Sequence, residues 1–117
     1  MAVDWSRPVV HWEMVARDPD AQAEFYRRMF HWKIGDGDLK VVAAGLGAPQ
    51  QGLDGHIMGG PQPSFVLYVQ VADIGASTAL ASELGGRVTA EPFDLPAGPT
   101  IAFVEDPEGN RLGLVQQ

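Results

Sequence analysis

The sequence predicts an α+β domain built from two βαβββ modules, on three observations. Period-2 alternation marks one strand from Val9 to Val15 and another from Phe65 to Val71, and each strand runs into an acid-capped amphipathic helix. The second copy also keeps a constant distance from the first: Asp73 stands 55 residues after Asp18, Ala76 55 after Ala21, and Leu84 55 after Met29. One offset shared by caps, stripes and strand parity is the mark of internal duplication.

In the first strand Val10, Trp12 and Met14 point to a packed face, while His11, Glu13 and Val15 point the opposite way. Asp18 caps the helix that follows, Pro19 sits where a missing N–H costs nothing, and Asp20 suits the positive end of the helix dipole. Ala21, Phe25 and Met29 recur every four residues as its apolar stripe, and it should end near His31. The second module assigns Phe65, Leu67, Val69 and Val71 to the packed face and Val66, Tyr68 and Gln70 to the other. Asp73 then caps a helix whose stripe is Ala76, Leu80 and Leu84, and Gly85 and Gly86 stop it.

Strand candidates follow each helix. They are "HWKIG", "LKVVAAG" and "GLDGHIM" in the first half, then "RVTA", "TIAFVED" and "RLGLVQ" in the second, separated by Gly-, Pro- and Asp-rich turns. Module one is expected over about residues 8–58, a hinge over about 59–64, and module two over about 65–117, within a single domain of residues 1–117. A module of about 55 residues buries too little surface to be comfortably stable alone, so the two should pair.

The composition is that of a folded globular chain, with 45% apolar and 20% charged residues. Eight Lys and Arg against fifteen Asp and Glu give a net charge of −7 with scattered basic residues, which argues against nucleic acid and anionic membrane as partners. There is no cysteine, so disulfides, thiolate metal sites and a cysteine nucleophile are excluded. With charged residues interrupting the N-terminal stretch and no long apolar run, the expectation is a cytoplasmic protein. No phosphate-binding loop, dinucleotide motif or nucleophile elbow is present.

Three stretches carry a family resemblance: "HWEMVARDPDAQAEFYRRMFHWKI", "FVLYVQVADIGASTALASELGGRV" and "AFVEDPEGNRLGLVQ". Together they cover nearly the whole chain, which resembles the vicinal oxygen chelate superfamily of glyoxalase I, extradiol dioxygenases and bleomycin-resistance proteins. The resemblance implies paired modules whose mixed sheet curves into a cup around a small-molecule ligand, and a homodimer. Metal-dependent members carry His or Glu at four cup-facing positions. His11, seven residues before Asp18, fills the first of them. Val66 stands at its repeat partner, Gly113 where those members have a glutamate, and the fourth position falls near Gly55 or His56. Two positions therefore hold no donor, which disfavours true glyoxalase activity; no cofactor is expected, with a divalent metal on His11, Glu13 and His56 as the alternative.

The candidate catalytic pair is His11, as general base or acid with an ordinary pKa of about 6.5, and Glu13 as the carboxylate that orients it. The plainer alternative is a wall histidine that only hydrogen-bonds Glu13 or water. Tyr68 and Gln70 share the same inferred face as substrate-binding candidates, together with Val66, His56 and Gly113, and His56 has the further alternative of an exposed hairpin strand. The expected function is small-molecule binding with metal-independent isomerase or lyase chemistry next to a carbonyl. A non-catalytic, bleomycin-resistance-like sequestering protein and a divalent-metal enzyme are the alternatives.

Overall fold

The computed structural model describes residues 5–45 and 52–116, which form seven strands and two helices. They divide into two compact units, one of them His11–Val66. In the first half, β1 (Val9–Ala16) leads into α1 (Pro19–Phe30), followed by β2 (Leu39–Val42) and β3 (Gly55–Gly59). β3 is the middle strand, parallel to β1 and antiparallel to β2. The predicted "HWKIG" strand shrinks to one antiparallel bridge between Ile34 and Val42. Two backbone bonds flank it, Ala43 N–H to Lys33 O at 3.1 Å and Gly35 N–H to Val41 O at 2.9 Å, before the Gly35–Asp38 turn carries the chain away.

Asp18 caps α1 as expected, its Oδ1 accepting the Ala21 N–H at 3.1 Å. The buried face of the helix differs from the expected stripe. Pro19, Gln22, Ala23, Tyr26 and Arg27 face inward, whereas Ala21, Phe25 and Met29 are exposed, Phe25 by 55% and Met29 by 61%. The helix offers two apolar rows, and the one that packs puts the small Ala23 flush against Met14, Ala16, Val42 and Ile57. That close approach also lets Tyr26 stack on Trp32, ring centroids 4.9 Å apart, with Trp12 tilted against Trp32 at 5.4 Å. Trp12 thus belongs to the helix-side cluster, as strand parity predicts.

The second half runs β4 (Ser64–Gln70), α2 (Ile74–Glu83), β5 (Arg87–Asp94), β6 (Thr100–Glu105) and β7 (Arg111–Gln116). β4 pairs with β7 in parallel, and β7–β6 and β6–β5 are antiparallel. Asp73 caps α2 by accepting the Ala76 N–H at 3.0 Å. The burial correction recurs at the same offset of 55, because Ile74, Thr78 and Ala81 turn inward at the places of Pro19, Ala23 and Tyr26, leaving Ala76, Leu80 and Leu84 exposed. On β4 the helix-side core takes Val69 and Val71 with Ile74, Ala102, Val104 and Leu114. Phe65 and Leu67 lie beyond its reach and are exposed, against expectation. "DPEGN" is a turn in which Asp106 Oδ1 accepts the N–H groups of Glu108 and Asn110, at 3.0 and 2.9 Å. Among the described residues, no helix is long and apolar enough to cross a membrane.

Candidate functional site

Alternation along β1 turns His11 and Glu13 to the face opposite the Trp12–Met14 core. Parallel pairing with β3 sets Glu13 beside His56. The neighbouring Gly55 makes that approach possible: the Trp12 indole lies across its Cα, and a Cβ there would come within 2.1 Å of the ring. Glycine at 55 therefore lets the strands close with Trp12 on one face and His56 on the other.

The result is a string of four side chains. Glu13 Oε1 lies 3.0 Å from His56 Nε2, and His56 Nδ1 lies 2.8 Å from His11 Nε2, both hydrogen-bonding distances. The two imidazoles lie edge to edge, their centroids 5.0 Å apart and their planes 27° from parallel. Asp54 Oδ2 approaches His11 Nδ1 at 3.4 Å, an electrostatic contact longer than a good hydrogen bond. Side-chain exposure falls steadily inward, from 56% for Asp54 and 28% for His11 to 12% for His56 and 6% for Glu13. Burial first and His56 second lower the His11 pKa below its ordinary 6.5, outweighing the opposing pull of Asp54 and Glu13. His11 is accordingly neutral at neutral pH.

This geometry revises the expected pairing in one respect: the carboxylate of Glu13 is linked to His11 through His56, because β3 inserts its imidazole between the two. His56 is thereby a link in the string, largely buried, and not an exposed strand residue. Asp54 escaped the sequence reading altogether, since nothing in "GLDGHIM" distinguishes it until the β1–β3 register is known.

The second module shows what stands at the corresponding positions. Tyr68 pairs in register with Gly113 as Glu13 does with His56, so Gly113 is the counterpart of His56, and Val66 that of His11. Val66 and Tyr68 are buried, and Gln70 is half-buried with its backbone N–H donating to Pro8 O at 2.9 Å. The Tyr68 ring covers Gly113, where a Cβ would sit 2.6 Å from it, and Phe103 meets that ring edge-on at 5.8 Å. Of these four corresponding positions, His11 and His56 carry nitrogen donors, and they face each other. Val66 and Gly113 carry none. Catalytic metal sites take about three protein ligands, and among the described residues no three His, Cys, Asp or Glu converge as a metal would require.

A cavity of about 590 Å³ opens elsewhere, on the helix-side face of β1, lined by Trp12, Trp32, Phe30, Lys33 and Leu53. None of the four string residues lines it.

Two half-repeats, each with its first and last strands in parallel and a capped helix over one face, define a glyoxalase-like α+β protein. The sequence matches the glyoxalase-like domain family over residues 10–115, and the chain belongs to that family. Its fold resembles a methylmalonyl-CoA epimerase solved with methylmalonyl-CoA and NH4+ (TM-score 0.65, 17% identity, 95% of this chain and 94% of that one). It also resembles a hypothetical protein from Bacillus halodurans (TM-score 0.65, 13% identity, 97% and 96%) and the methylmalonyl-CoA epimerase of Mycobacterium tuberculosis (TM-score 0.64, 18% identity, 92% and 86%). At such identities the likeness is one of fold. No curated protein matches the sequence.

Proposed function

We propose that the protein binds a small carbonyl compound and moves a proton at the adjacent carbon or oxygen, with His11 as the outer, half-buried imidazole that acts as acid or base and the His56–Glu13 pair as the proton reservoir behind it. The observation that carries this reading is the string itself. An imidazole neutral at neutral pH, backed by a second imidazole and a buried carboxylate, can take up or release a proton at its outer nitrogen while the inner bonds shift by one place. Epimerases among the fold neighbours are in keeping with such chemistry. The donor set requires no metal for this step, and in this reading the working form is a cytoplasmic homodimer.

Exchange of α-protons into D2O, followed by NMR for dihydroxyacetone, acetoin and phenylacetone, tests the proposal. Protein-dependent exchange of at least one probe is expected, with a loss of about 100-fold or more in His11→Gln. Binding of a probe with no exchange would favour the sequestering alternative, and exchange untouched by His11→Gln would remove His11 from the mechanism.

A further inference from the structure

Both nitrogens of His11 already face a partner: Nε2 looks at His56 Nδ1 across 2.8 Å, and Nδ1 at Asp54 Oδ2 across 3.4 Å. A lone pair on Nδ1 would confront the Asp54 carboxylate, whereas an N–H there is attracted to it. Asp54 therefore favours the Nδ1–H form of His11, leaving Nε2 to accept from His56 Nδ1–H. His56 Nε2 and Glu13 then hold one further proton between them. The strand on the far side of β3 adds no competing charge, because β2 presents Val41 in register with His56 and turns Lys40 to the other face, where Nζ meets Asp20 Oδ1 at 2.7 Å.

We infer that Asp54 is the base that meets the substrate, and that His11 beside it donates its Nδ1 proton to the substrate's carbonyl oxygen. This assignment rests on the proton-transfer reading above and divides the labour within it. The outermost and most exposed of the four groups is a carboxylate, and next to it stands a neutral imidazole N–H, a base and a donor side by side as enolisation of a ketone requires. In the step, the α C–H bond breaks and its proton forms an O–H on Asp54, while the electron pair passes into the new C=C bond. The carbonyl oxygen takes the proton from His11 Nδ1. His11 Nε2 takes the Nδ1 proton of His56, and His56 keeps its Nε2 proton against ionised Glu13. The four groups carry one net negative charge before and after the step, and it ends on Glu13.

Two measurements on the full chain decide the matter. In protein labelled with 15N-histidine, His11 should show a protonated Nδ1 and an unprotonated Nε2, and Asp54→Ala should reverse that tautomer; an Nε2–H form in the unaltered protein would overturn the arrangement. Asp54→Asn, which keeps the shape but cannot accept a proton, should slow exchange of whichever probe the protein acts on by about 100-fold or more. Exchange within about threefold of the unaltered protein would defeat the base assignment alone. A protein that exchanges none of the probes defeats the proton-transfer reading and this assignment with it.

Discussion

The two modules carry the same strand positions to opposite ends. In the first, positions 11, 13 and 56 hold His, Glu and His bonded in series. In the second, the corresponding positions hold Val66, Tyr68 and Gly113, closed by an aromatic ring lying on a glycine. The caps and the buried helix faces are kept at an offset of 55 residues, and the parallel pairing recurs with an offset of 55 on its first strand and 57 on its last, so the two copies share a scaffold while one carries ionisable groups and the other fills the space with carbon. A shared backbone position therefore says where a side chain goes and nothing about what it does there.

That contrast can be broken in several ways. The largest effect should come from the acid–base groups: Glu13→Gln, which alters the buried end of the string, is expected to lower probe exchange by about 100-fold. Tyr68→Phe at the matching place in module two should cost less than about tenfold. Equal losses in the D2O assay would mean that the chemistry is not confined to the first module.

Placing a carboxylate in module two should hurt stability and add no function. Gly113→Glu forces a side chain into the Tyr68 ring, and a loss of about 2–3 kcal/mol is expected in urea unfolding. A variant as stable as the parent would show that Tyr68 moves aside at little cost. Smaller still, and a check on the shared helix packing, Ala23→Leu should lose about 1–3 kcal/mol by overpacking, while Phe25→Ser on the exposed row should stay within about 0.5 kcal/mol. The reverse order would reinstate the stripe expected from periodicity.

The smallest effect concerns pH. With the His11 pKa lowered in the fold, the unfolded chain takes up a proton below pH 6.5 that the folded chain declines until the pH drops further. Stability from this source is complete above 6.5, declines as pH falls, and levels off below the folded value. By calorimetry, His11→Gln should show a smaller drop in Tm than the parent between about pH 8 and about pH 5. A larger drop would mean that the sign is wrong.

The fold was legible because its signals are local and doubled: aspartate caps at 18 and 73, strand alternation, and one spacing linking them. The helix faces depart from the periodicity because α1 and α2 each carry two apolar rows, and the choice depends on which small residue can touch the sheet, a tertiary matter that spacing does not encode. Likewise "HWKIG" has strand-like residues, but the Gly35–Asp38 turn leaves room for one bridge. His11 and Glu13 could be placed on one face because parity alone decides it. Their link through His56, and the presence of Asp54, depend on the register of a parallel pair separated by more than 40 residues, and no short-range pattern reports that.

The acid–base string exists only if His11 and His56 bond to each other directly. Scalar coupling across the hydrogen bond, measured between His11 Nε2 and His56 Nδ1 in 15N-labelled protein at neutral pH, tests it most directly. A resolved coupling between these two nitrogens is the expected result. Two uncoupled rings exchanging freely with solvent would contradict it.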